Sequence, residues 1–199
     1  MRNNISKLVV LMAMSFSILS SSIFAATADS NNVVEAARRE VQKHAIGIGL
    51  GQIFLLQNFE NRGDNKITAD ILYTYTASHS FDLLLNFHES NHGYKDQKVW
   101  IRGYTMSIKA RSYEFDSFSP FVLAGLGFYM PQIEDDGAKS KNKYTFGFNA
   151  GAGADLRLNS KIIVGLMAQF HKPFEVKQDT GDNVSGSYFK LLLTMMYLF

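Results

Sequence analysis

The chain has 199 residues, 46% hydrophobic and 19% charged, with a mean hydropathy of −0.07. That composition excludes a disordered chain and a conventional polytopic helical membrane protein. The formal charge of +2 falls to zero once Arg2 and Lys7 of the N-terminal leader are set aside, so no basic face for neutralising nucleic-acid phosphates is expected. Cysteine is absent, which removes disulfides, thiolate metal sites and cysteine nucleophiles.

Residues 1–28 have the three parts of a secretory signal. Arg2 and Lys7 supply the positive start, Leu8 to Leu19 the apolar stretch, and Ala26-Thr27-Ala28 a small-residue cleavage site. The apolar stretch is too short for a membrane-spanning helix, which needs about 20 residues. Residues 29–44 form a separate segment, a short helix or a tether on the periplasmic side. Asn32 and Glu35 resemble a capping box, Val33, Ala37 and Val41 form a narrow apolar stripe, and Glu35 precedes Arg39 by one helical turn.

From Ala45 the period changes to two. Eight strand segments follow: 45–55, 66–77, 80–89, 98–110, 120–130, 144–157, 161–172 and 186–199. In most of them one face is apolar without interruption, as in Phe81, Leu83, Leu85 and Phe87, or Ile162, Val164, Leu166, Ala168 and Phe170. The connections alternate between long stretches (56–65, 90–97, 131–143, 173–185) and tight turns at 78–79 and 158–160, with 111–119 intermediate. Pro120, Pro131 and Pro173 all stand at segment ends, where a missing N–H does no harm.

Eight strands with one apolar face each predict a closed sheet. Alternation alone leaves open whether the apolar face points inward, around a ligand as in a soluble lipocalin-like binder, or outward against lipid. Three features favour lipid. The strands are long enough to cross a bilayer at a tilt. Aromatics cluster at the ends of the apolar faces: Phe87, Phe128, Tyr144, Phe146, Phe170 and Phe189 toward the long loops, and Tyr73, Tyr75, Phe81, Tyr197 and Phe199 toward the short turns. The polar faces carry charges, which suit a hydrated lumen better than an apolar ligand pocket.

The predicted fold is therefore all-β, an eight-stranded antiparallel up-and-down transmembrane β-barrel over 45–199. At eight strands the interior is about filled by side chains, so a wide pore is not expected. Asp70, Asp82, Asn86, Lys109, Asn149, Asp155, Gln169 and Lys190 form the predicted polar network of the lumen, with its charges paired because an isolated buried charge is costly. Glycines at 47, 49, 51, 125, 127, 147, 151 and 153 either leave room for large neighbours or open a narrow water path. In the fourth segment, Trp100, Tyr104, Met106 and Ile108 outward imply Arg102 outward, where it could meet lipopolysaccharide phosphates. His44, His79, His92 and His171 show no metal-ligand spacing, and neither metal nor cofactor is expected. Arg62-Gly63-Asp64, an adhesion tripeptide in composition, falls in a predicted solvated turn.

The last segment ends in Phe199, preceded by Tyr197, Met195, Leu193 and Leu191 at every second position. This resembles the C-terminal assembly signal of Gram-negative outer-membrane proteins. Residues 120–128 (PFVLAGLGF) resemble a strand of small OmpA/OmpW-like barrels. The resemblance implies a periplasm-transiting monomer, handled by periplasmic chaperones and the barrel-assembly machinery. It would sit in the outer membrane among phospholipid and lipopolysaccharide, with both termini periplasmic. The implied role is structural or surface-interactive, or restricted passage of small solutes, and not enzymatic. His88-Glu89-Ser90-Asn91-His92-Gly93 is similar to the motif of the lipid A 3-O-deacylases. That likeness implies an alternative, an ester hydrolase with His88 as base and Ser90 as nucleophile.

Overall fold

The computed structural model describes residues 43–60, 63–94, 97–112, 117–135, 138–140, 143–176 and 183–199. The expected signal and the segment 29–42 lie outside the described residues. No helix among the described residues is long and apolar enough to cross a membrane.

Among the described residues nine strands form: β1 (His44–Leu56), β2 (Lys66–Thr76), β3 (Phe81–Tyr94), β4 (Gln97–Arg111), β5 (Phe118–Asp135), β6 (Ala138–Lys139), β7 (Thr145–Arg157), β8 (Ile162–Pro173) and β9 (Ser187–Leu198). Eight of them make a closed antiparallel barrel in which each pairs with its chain neighbours. β9 pairs back onto β1, and the two-residue β6 adds only to the tip of β5. Closure leaves the barrel wall without a free edge across the apolar band. The two ends of the barrel differ. One end has the shorter turns 77–80 and 158–161, the start of β1 and the end of β9, and the other carries the connections β1–β2, β3–β4, β5–β7 and β8–β9.

At the turn end the local chemistry explains the tight reversals. Asn159 Oδ1 accepts the backbone N–H groups of Lys161 and Ile162 at 2.8 and 2.9 Å, and Ser78 Oγ accepts that of Phe81 at 3.1 Å. The Phe199 N–H donates to the His44 carbonyl at 2.9 Å and its ring stacks on His44, so the last residue closes the cylinder.

The sheet is taller on one side. β3 and β4 pair from Phe81↔Ala110 to Tyr94↔Gln97, so in the stretch read from sequence as a loop, 90–97, residues 90–94 and 97 are strand, and 95–96 lie outside the described residues. β5 likewise runs to Asp135, where the sequence suggested an end at 130. The sequence Ser90-Asn91-His92-Gly93 lacks apolar alternation, but the ladder with β4 continues through it.

The phase of the pleat decides which side chains meet lipid. On β9, Leu191, Leu193, Met195 and Tyr197 are exposed, while Lys190, Leu192, Thr194, Met196 and Leu198 between them are buried. The same alternation exposes Ile46, Ile48 and Leu50 on β1, and Met106 and Ile108 on β4. The apolar side chains thus clothe the outside, which overturns the lipocalin-like alternative. Aromatic rings border this band. Phe87, Tyr104, Phe128 and Phe146 stand directly opposite one another across β3, β4, β5 and β7. Their centroids lie 4.8 Å apart for Phe87–Tyr104 and 4.3 Å for Phe128–Phe146. From Phe189 to Tyr197, eight residues at a typical strand rise and barrel tilt span about 20 Å, close to the height of an apolar membrane band.

Candidate functional site

The described interior is layered. At the turn end, Leu72, Leu84, Phe121, Leu123, Met167, Leu192 and Met196 pack together. At the loop end, Ile53, Leu55, Val99, Ile101, Tyr129 and Tyr188 from the strands meet Phe59, Val176 and Val184 from the connections. A polar layer lies between the two apolar clusters.

The loop-end closure depends on local backbone geometry. Gln57 has φ +60, a left-handed conformation that is uncommon outside glycine. It starts a 3-10 turn, Gln57–Phe59, that folds the chain over the barrel mouth. Phe59 is fully buried there, and its ring covers Gly186, where a Cβ would lie 2.4 Å from the ring. Val176 and Val184 pair as a short bridge in the connection between β8 and β9.

In the middle layer, the fully buried Lys190 ammonium is paired with Asp70, whose side chain is equally enclosed. Thr68 Oγ1 donates to Asp70 Oδ1 at 3.4 Å, and Asn86 Nδ2 donates to Asp70 Oδ2 at 2.8 Å. Asn86 Nδ2 also lies 3.4 Å from Gln169 Oε1. With its amide so oriented, Asn86 Oδ1 accepts from His88 Nδ1 at 3.3 Å, and His88 Nε2 then accepts from the Tyr188 hydroxyl at 2.6 Å. Tyr188 stacks on His171 at 4.8 Å, and the Tyr129 hydroxyl meets His171 Nδ1 at 3.0 Å. Ser107 donates to Asn149 Oδ1 at 2.7 Å. Toward the turn end, Lys109 pairs with Asp155 and packs over the Phe121 ring, and Arg111 pairs with Asp82 at 2.7 Å.

All eight polar residues singled out in the sequence face inward, and their three carboxylates fall in separate pairs, two with the two lysines and the third with an arginine. Arg111, which completes the Asp82 pair, was not among them. Neither were Tyr129, Tyr188 and His171, although alternation from Lys190 and Gln169 places Tyr188 and His171 on the same face. The glycines make room for these rings. A Cβ at Gly103 would stand 2.5 Å from His88, and one at Gly147 would stand 2.8 Å from Tyr129. At these positions glycine serves packing, not a water path.

The expected pairing of His88 with Ser90 does not form. His88 is committed to Tyr188 and Asn86. Ser90 Oγ instead lies 2.9 Å from His92 Nε2, two residues toward the loop end on the same face. Among the described residues no group of three or more His, Cys, Asp or Glu could hold a metal ion.

Beyond the aromatic belt, the outer surface is charged. Arg102 and Glu89 form an exposed pair at 2.5 Å, and Lys98 and Glu134 stand 3.6 Å apart.

A closed eight-stranded cylinder with an apolar exterior, aromatic borders and a polar layer inside is a transmembrane β-barrel. The sequence model of the family described as outer membrane protein beta-barrel domain matches residues 16–194, so the chain belongs to that family, whose place is the Gram-negative outer membrane. No curated protein sequence matches it significantly. Among solved structures it resembles Neisserial surface protein A at 9% identity and TM-score 0.66, covering 78% of this chain and 97% of that one. It also resembles the outer membrane protein OprG of Pseudomonas aeruginosa at 14% identity and TM-score 0.59, over 79% and 95% of the two chains. The N-terminal β-barrel domain of Pseudomonas aeruginosa OprF matches at 13% identity and TM-score 0.53, over 78% and 97%. At these identities the likeness is one of fold.

Proposed function

We propose that this barrel does not conduct and that it works through its surface, as an envelope-stabilising or contact-making protein. The observation that supports this is the interior itself, filled at the turn end by the cluster around Leu192 and stoppered at the loop end by Phe59, Val176 and Val184. A solute would have to displace both clusters and break the Asp70–Lys190 pair. This reading favours surface interaction over small-solute passage. Planar-bilayer recording on the refolded chain should show no stepwise conductance, whereas regular single-channel steps would overturn the reading.

The loop end carries the surface for contacts. Arg102, Lys98 and Lys172 stand on the outward phase beyond the aromatic belt, a position suited to lipopolysaccharide phosphates. With the loop end outside, both chain ends face the periplasm. In this reading the chain is a monomer, taken across the periplasm by chaperones and inserted by the barrel-assembly machinery through Leu191, Leu193, Met195, Tyr197 and Phe199. Deleting Phe199 removes the ring stacked on His44 and the final contact of β9 with β1. The truncated chain should accumulate in the periplasm in a protease-sensitive form. Normal insertion, read by protease resistance and heat-shifted gel mobility, would count against the assembly role.

A further inference from the structure

The β2–β3 pairing runs from Asp70↔His88 to Thr76↔Asp82, seven register pairs, whereas β3–β4 holds fourteen. Both strands continue beyond that point, β2 to Lys66 and β3 to Tyr94. Residues 66–69 and 89–92 hold no register pairs with one another, a break in the ladder that forms a seam in the wall at the loop end, with Gly63 and Asp64 packed against His92 beside it. Ile67, on the outward phase of β2 at this seam, is 85% exposed.

Just inside the seam stand Ser90 and His92. The imidazole is fully buried, and its Nδ1 lies 2.7 Å from the carbonyl oxygen of Asp64, which can only accept. The proton of the neutral ring is therefore on Nδ1, and the Nε2 lone pair faces the Ser90 hydroxyl at 2.9 Å. This is the geometry of an activated hydroxyl, with a base in hydrogen-bond reach and a third group fixing the tautomer of that base. Lys66, exposed on β2, is near enough for its charge to act on the ring.

We propose that Ser90 and His92, oriented by the Asp64 carbonyl, are a nucleophile and general base that take a carboxylic ester entering through the β2–β3 seam. Ser90 Oγ attacks the carbonyl carbon while its proton passes to His92 Nε2. The carbon–oxygen bond to the leaving alcohol then breaks, and that oxygen takes the proton from Nε2. Water, giving its proton to Nε2, adds to the acyl-serine carbonyl and releases the acid, and Ser90 Oγ recovers the proton. The site does not rest on the closed lumen, and a silent bilayer recording neither supports nor weakens it.

The test uses the refolded full chain in detergent micelles, with a fluorophosphonate probe mapped by peptide mass and p-nitrophenyl butyrate hydrolysis as second readout. The wild type should be labelled at Ser90, and Ser90→Ala should lose label and turnover. His92→Gln should slow labelling at least about 100-fold, the range a general base supplies. Heat-shifted gel mobility reports whether each variant is folded. The Ala69→Cys/Glu89→Cys pair, oxidised across the seam, should block labelling in an intact barrel. No label on the folded wild type overturns the proposal, and so does a folded His92→Gln that labels at the wild-type rate. Undiminished labelling of the crosslinked barrel overturns the route through the seam.

Discussion

Replacing Lys190 with methionine should lower the unfolding free energy by about 3–5 kcal/mol, the usual consequence of leaving one charge of a buried pair without its partner. Both side chains of the Asp70–Lys190 pair are fully enclosed. Thr68 and Asn86 bond to the Asp70 carboxylate but bring no positive charge to it. The lost ammonium therefore cannot be replaced from nearby. The double variant Asp70→Asn/Lys190→Met removes both charges and should recover most of the loss, because a neutral filler of similar volume substitutes well for a buried pair. Urea unfolding in lipid vesicles measures all three proteins. A single variant within about 1 kcal/mol of wild type, the range of an ordinary exposed pair, would show that water reaches this layer and that the lumen is open.

Leu193→Arg tests the opposite side of the wall. Leu193 is 65% exposed, stands opposite Leu50 and Leu166 in register, and lies midway between Phe189 and Tyr197 on β9. In a bilayer the charged replacement should destabilise the barrel by about 2–4 kcal/mol, the midplane value, falling toward zero near the borders of the band. Arginine at Tyr197 should therefore be the milder change. Equal effects at the two positions would contradict a band centred on Leu193.

The outline of the barrel was legible because its physics is local. A strand with lipid on one side must place apolar side chains at every second position, and Leu191 to Phe199 do so without a break. The polar phase was less informative. It was read as a lumen of charges and glycines, yet Leu84, Met167, Leu192 and Met196 stand on it and are buried. Eight strands enclose a space so narrow that it must be packed like a core, so the inward phase mixes apolar with polar residues. The partners of the alternative His88 and Ser90 site were out of the sequence's reach for a related reason. His88, Ser90 and His92 share one face, and nothing in their spacing says that Tyr188, 100 positions away, occupies the first and the Asp64 carbonyl orients the third.

Alternation, strand length and the banding of aromatic residues are properties of each strand alone, and they sufficed to make this chain a barrel with its apolar face in lipid. Which side chains meet across the lumen was settled only on closure. A period of two assigns a side but no height, and the stagger between neighbouring strands sets the level at which Asp70 reaches Lys190 and Phe59 reaches Gly186.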